Sequence, residues 1–101
     1  MKRFRIVVTT PARGHIDEII DFVTQDWPDY ADRLLNQLET AIDSLDHLPH
    51  RFVRVGFTRR RKSPVHRMVV GDYLIYYRIE TDTVHVMMVR HGARKPPKGF
   101  N

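Results

Sequence analysis

The chain has 101 residues, is 42% hydrophobic, contains no cysteine and carries a formal net charge of +5. That length allows one domain with a modest core; the composition excludes a disulfide framework, thiolate chemistry and a cysteine-based zinc centre. No apolar run approaches the roughly 20 residues of a membrane span, and the first ten residues are too short and too charged for a secretory leader, so a cytoplasmic location without membrane contact is expected.

Residues 4–10, FRIVVTT, alternate Phe4, Ile6 and Val8 with Arg5 and Val7 and predict a strand. Thr10 before Pro11 predicts a helix start, with a hydroxyl to cap free N–H groups and proline in the first turn. Ile16, Ile19, Ile20, Val23 and Trp27 then form one apolar stripe, which assigns Trp27 to the core. Asp17, Glu18 and Asp21 take the wet side near the helix N-terminus, where the macrodipole favours them.

DWPDY, residues 26–30, ends that helix and starts another. Ala31, Leu34, Leu35, Leu38, Ile42 and Leu45 make the second stripe, which should end before Pro49. A break this short predicts an antiparallel helical hairpin.

The apolar period then changes from 3.6 to 2. RFVRVGF (51–57) has the pattern of a short strand, TRRRKSP (58–64) of a basic loop, and VHRMVV (65–70), YLIYYRIE (73–80) and VHVMMVRH (84–91) of strands joined by tight turns. The expected order is β-α-α-β-β-β, with one more strand if residues 51–57 form it. That is an α+β domain in which a helical hairpin covers one face of an antiparallel sheet. In the last strand Val84, Val86 and Met88 should face one way and His85, Met87 and Val89 the other; both sets are largely apolar, which predicts a central strand. With no repeat and no linker, the chain reads as a single domain over residues 1–101. Pro96, Pro97 and Gly99 predict a loose tail over 95–101.

The charge is unevenly distributed. Residues 15–46 carry nine acids and one base, Arg33, a net −8; the rest carry +13. Residues 47–71 hold seven bases and no acid. Such asymmetry predicts a basic surface for an anionic partner, unless the acidic part lies against the basic part.

Several side chains are candidates for that surface. Arg90 and Arg94 flank His91 and Gly92 where the last strand ends, and two guanidinium forks there could clamp phosphate or carboxylate. His91 could carry a proton near neutral pH, or serve only as a hydrogen-bonded strand end. Arg59, Arg60, Arg61 and Lys62 are the densest charge run. Arg67 and Arg78 should lie on the sheet face away from the helices. Tyr73, Tyr76 and Tyr77 have strand spacing and are expected in the core rather than stacked on bases. His47 and His50 lack companion ligands, so no metal is expected.

The strand, TTPARGHIDEI (9–19), the leucine-rich second helix and YLIYYRIETDTVHVMMVRHGAR (73–94) together resemble the RelE/ParE superfamily of bacterial toxins, from type II toxin–antitoxin pairs, over residues 4–94. The resemblance implies the same fold, no cofactor, and one of two activities. RelE-like members cut messenger RNA in the ribosomal A site; ParE-like members inhibit DNA gyrase and leave DNA breaks. RNA cleavage in this family uses lysines and an arginine on neighbouring central strands, an arginine after the last strand and often a C-terminal tyrosine. Here Arg94 matches the arginine after the last strand and Arg67 lies near a lysine position. Leu74 replaces an arginine, Val65 stands where a lysine is expected, and no tyrosine follows Tyr77. Arg94, His91 and Arg67 are therefore catalytic candidates only if the chain is RelE-like, and RHGAR with Leu74 favours the ParE-like branch. Arg59, Arg60, Arg61, Lys62, Arg67, Arg78, Arg90 and Arg94 are candidates for binding target or antitoxin. The implied partners are a cognate antitoxin, held in a tight heterodimer or larger complex through a helix and an added strand, and gyrase or the ribosome with its message. The implied role is plasmid stabilisation; the alternative is a non-toxic module that binds RNA or the antitoxin.

Overall fold

The computed structural model describes residues 3–57 and 64–93, so the run Arg59 to Lys62, Arg94 and the tail 95–101 lie outside the described residues. Where the apolar period is 2 the chain forms strands, and where it is 3.6 it forms helices. The order is β1 (Arg5–Val8), α1 (Thr10–Asp26), α2 (Pro28–Asp43), β2 (Val53–Phe57), β3 (Pro64–Val70), β4 (Tyr73–Glu80) and β5 (Thr83–His91). Short 3-10 turns over Ser44–Asp46 and Pro49–Arg51 link α2 to β2.

The cap of α1 is Thr9, one residue before the expected Thr10. Thr9 is still extended, in line with β1, and its Oγ1 accepts the Ala12 N–H at 3.4 Å. The same hydroxyl donates to the Val86 carbonyl at 2.7 Å, so one side chain both caps α1 and ties it to β5.

Trp27 alone separates the helices. Its N–H bonds to Val23 O at 2.8 Å as α1 ends, and its carbonyl accepts the Ala31 N–H at 2.9 Å as α2 begins. Pro28, which has no N–H to satisfy, suits the first turn. Contrary to expectation Trp27 is not core: it is 62% exposed. The stripe of α1 loses its meaning where the helix axis ends, and Val23 is its last buried residue. In α2, Ala31, Leu34, Leu38 and Ile42 are buried, as the stripe predicts. The helix stops at Asp43, and a 3-10 turn carries the last stripe residue, Leu45, into the core. Arg51 then closes this segment by donating to the carbonyls of His47 and Leu48 and to Ser44 Oγ.

The five strands form one sheet in the order β1-β5-β4-β3-β2, with β1 parallel to β5 and all other pairs antiparallel. Residues 53–57 thus supply the additional strand. The helices cover one face, where Ile16, Leu34, Leu38 and Leu45 pack with Ile75, Tyr77, Val84 and Val86. Tyr73, Tyr76 and Tyr77 are all buried, in keeping with their strand spacing. Tyr77 reaches the core because its hydroxyl finds an acceptor: it donates to Pro49 O at 2.5 Å, and its ring stacks on His66 at 5.4 Å.

The alternation expected along β5 does not hold. Tyr76 pairs with Met88 but Tyr77 pairs with Val86, so Met87 is an extra residue, a β-bulge. The faces switch there. Val84 and Val86 lie in the helix-side core, Met88 joins Val65 and Tyr76 on the other side, and Val89 returns to the helix side.

Burial pushes the Tyr77 phenol up to about 12, with the Arg51 guanidinium pulling the other way. A group raised in the folded state contributes stability that is complete below its ordinary value of 10.0 and is lost as pH climbs towards about 12. Unfolding by denaturant across that range should show a falling branch that Tyr77→Phe flattens, at a cost of about 1–2 kcal/mol at neutral pH for the carbonyl left unpaired. Leu38→Ala should cost about 2–5 kcal/mol by urea titration. Trp27→Ala should cost less than ~1 kcal/mol; equal losses would contradict the placement of Trp27.

Candidate functional site

On the face without helices, the strand registers lay side chains out in rows. Arg5, Thr83 and Glu80 form one row across β1, β5 and β4. Val7, His85, Arg78 and Val65 form the next, and Met88, Tyr76, Arg67 and Val53 the third. Arg90, Leu74 and Val69 form the last. Arginines thus come from β1, β3, β4 and β5, with Glu80 as the carboxylate in these rows. Between them lie Tyr76, Leu74, Met87 and Met88, which pack with Val65 into a second, thin apolar layer. The acids of residues 15–46 belong to the helices on the opposite face, so the sheet separates the acidic part from this basic one.

The arginines are held in different ways. Arg78 is only 5% exposed; its Nη1 lies 2.6 Å from Glu80 Oε1, and His85 Nε2 approaches the same oxygen at 3.4 Å. Arg90 donates to the Tyr76 hydroxyl from Nη2 at 2.9 Å and from Nε at 3.3 Å, with its guanidinium 5.5 Å from that ring's centre. A third donation, from Nη1 to His91 O at 3.3 Å, fixes it against its own strand. Arg67 Nε is buried with no hydrogen-bond partner among the described residues. An acceptor brought by a bound partner would satisfy it.

On the helix side, the end of β5 borders a groove of about 480 Å³ between α1, the start of α2 and the β3–β4 turn. Exposed Phe22, Trp27 and Tyr30 line it with Tyr73 and Val89, and His15, Glu18, Asp72 and His91 supply its polar groups. His91 sits edge-on to the Tyr73 ring at 5.3 Å, and its Nδ1 accepts the Ala93 N–H at 3.1 Å. Among the described residues no three His, Asp or Glu side chains converge as metal ligands.

Of the candidates read from sequence, Arg67, Arg78 and Arg90 share the uncovered face. His91 faces the groove on the other side of the sheet, beside Tyr73. Arg94 and residues 59–62 fall outside the described residues. The sequence reading missed Arg5, Glu80, His85 and His15. A signal for His85 existed: the two-residue turn after Glu80 sets it opposite Arg78. His15 gives no local signal, because only the packing of α1 on β5 brings it to the strand end.

Residues 6–96 match the family model for the ParE toxin of type II toxin-antitoxin systems, parDE. The toxin RelE2 of Caulobacter vibrioides is 33% identical over 90 residues, spanning 89% of this chain and 97% of that protein. Among solved structures, a chain of the chromosomal ParDE system from Pseudomonas aeruginosa aligns with a TM-score of 0.71 at 12% identity, over 88% of this chain and 96% of that one. A chain of the RelBE2 toxin–antitoxin complex from Mycobacterium tuberculosis aligns with a TM-score of 0.58 at 24% identity, over 93% and 97%.

The Arg78–Glu80 pair allows a test of how the basic face is built. Replacing a buried ion by an apolar side chain is often neutral, whereas removing its counter-charge strands it. Arg78→Met should cost less than ~1 kcal/mol by urea titration. Glu80→Gln should cost about 1–2 kcal/mol, discounted because that carboxylate is half exposed. The opposite ranking would mean that the pair does not hold Arg78.

Proposed function

The chain belongs to the RelE/ParE superfamily of type II toxin–antitoxin toxins, and from that premise we propose that it arrests growth by ParE-like inhibition of DNA gyrase. In this reading it hydrolyses nothing itself; it binds gyrase and traps the cleaved DNA intermediate. The observation that carries the reading is the separation of His91 from Arg67 by the sheet. Metal-free RNA cleavage needs a proton carrier and a phosphate-neutralising cation on the same side of the scissile bond, and Leu74 puts an apolar side chain beside Arg90 in the last row of the basic face. That face suits docking onto an acidic surface better than bond breaking.

An antitoxin is the second partner. Support comes from the two structural neighbours, one from a ParDE toxin–antitoxin system and one from a RelBE2 toxin–antitoxin complex, and from the basic face, which fits an acidic wrapping segment. The complex would be a heterodimer or larger, formed in the cytoplasm, with strand addition at an outer edge of the sheet. A role in plasmid stabilisation follows from the same reading.

Ribosome-dependent messenger RNA cleavage is the second reading. Tyr76, flanked by Arg67 and bonded to Arg90, favours it as a base-stacking platform between cations, although Tyr76 is itself buried.

Expression of the chain without its partner should arrest growth and induce a DNA-damage response before messages are depleted. Co-expression with the product of the adjacent gene should relieve the arrest and yield a co-purifying complex. The double variant Arg90→Glu, Arg94→Glu should keep its circular dichroism spectrum and lose toxicity. A folded double variant that still arrests growth would refute a role for the strand end.

A further inference from the structure

Folding leaves three large aromatic side chains uncovered at one corner of the helical layer. Phe22 is 59% exposed, Trp27 62% and Tyr30 40%. All three line the groove beside the end of β5. The geometry of the helices gathers them there. His15, Glu18 and Phe22 fall at i, i+3 and i+7, one row of α1 beside its buried row of Ala12, Ile16 and Val23. Trp27 is the corner residue, and Tyr30 belongs to the first turn of α2. Tyr73 and Val89, both buried, form the floor. The Val89 N–H donates to His15 Nδ1 at 3.4 Å, which ties the α1 wall to that floor. A contiguous exposed apolar patch marks an interaction site, and tryptophan and tyrosine are among the residues that carry most of the binding energy at interfaces.

The charge of the groove is opposite to that of the open sheet face. Glu18 on the α1 wall and Asp72 in the β3–β4 turn are both exposed carboxylates. Among the described residues neither meets a cation. The Arg90 guanidinium does not answer them, because it is held at the Tyr76 hydroxyl on the far side of the sheet. Aromatic ring faces attract cations as well. Tyr30 already holds one: the Arg33 guanidinium lies 5.9 Å from its ring centre. The groove is also long. Its lining follows α1 from His15 to Trp27, about 18 Å at ~1.5 Å per residue. That is room for about three helical turns or about five extended residues.

We propose that this groove docks a short apolar segment of a partner protein that carries a lysine or arginine. Its aliphatic side chains lie against Phe22, Trp27 and Tyr30, and its cation meets Glu18 and Asp72. The cation is required by the desolvation that docking brings. An uncharged segment would take water from both carboxylates and return no counter-charge. This partner is the chemical opposite of the acidic one proposed for the open face. The two surfaces lie on opposite sides of the sheet, so both can be filled at once. The groove's chemistry does not depend on the gyrase reading.

Trp27 is the chain's one tryptophan, so its emission reports on this groove directly. The full chain would be titrated with two helical peptides of identical apolar pattern, one with lysines and one with glutamates at the polar positions. The lysine peptide should shift the Trp27 emission to shorter wavelength in a saturable way, with an affinity that falls as salt rises. The glutamate peptide should leave the emission unmoved, even where it binds the open face. Glu18→Lys should weaken the lysine peptide roughly tenfold, because it turns an attraction into a repulsion. Trp27→Ala, followed by calorimetry, should weaken it by more than about tenfold. Equal shifts with both peptides, an emission that neither peptide moves, or full affinity in Glu18→Lys would overturn the proposal. So would a shift that grows with the chain's own concentration in the absence of peptide, which would seat a second copy of the chain in the groove. No readout involves growth or gyrase, so failure here and failure of the gyrase reading are separable.

Discussion

Met87 has no residue opposite it on β4, and much of the molecule depends on that one insertion. A strand strictly alternating from Val84 would send Met88 and Arg90 towards the helices and expose Val89 on the bare face. Burying an unpaired guanidinium in that core would cost several kcal/mol. The bulge reverses the parity after Val86, so Val89 fills the helix-side core and Arg90 reaches Tyr76 on the open face. It also turns His91 to Tyr73 and the groove. A single extra residue in a central strand thus decides which cation meets solvent and which histidine meets the helices.

The same sheet keeps the two charges of the chain apart. Nine acids lie in residues 15–46, which run through the helical layer, and arginines from four strands lie on the other face. Among the described residues, Arg3 meets Asp46 at the exposed surface, and Glu80 serves Arg78 and His85. A basic face attracts acidic surfaces at long range, with an on-rate that falls as salt rises. Its thin apolar layer of Tyr76, Leu74 and the two methionines gives an incoming segment something to bury once it arrives.

Much of the fold was legible because period and punctuation agree. The stripe of α2 needed only its leucines, and β4 runs from Tyr73 to Glu80 as its sequence pattern and flanking turns require. What was not legible depends on contacts between distant residues. Met87, Met88 and Val89 are all apolar, so no hydrophobic pattern could show where the parity breaks. Trp27 continues a helical stripe on paper but sits at a corner that Pro28 creates. Of the site, Arg67, Arg78 and Arg90 could be read from strand spacing. Glu80 as the counter-charge of Arg78, and His15 as the acceptor for Val89, emerge only when the strands pair and α1 packs on β5.

Gyrase is the partner on which the functional reading stands, and purified gyrase is the direct way to question it. The chain would be added to gyrase and relaxed plasmid, and in parallel to a translation reaction on a defined message. Gyrase inhibition predicts lost supercoiling and accumulation of linear plasmid, with the message intact. Cleavage of the message within A-site codons, with supercoiling unaffected, would contradict it and move Arg67 and the open face from docking to catalysis.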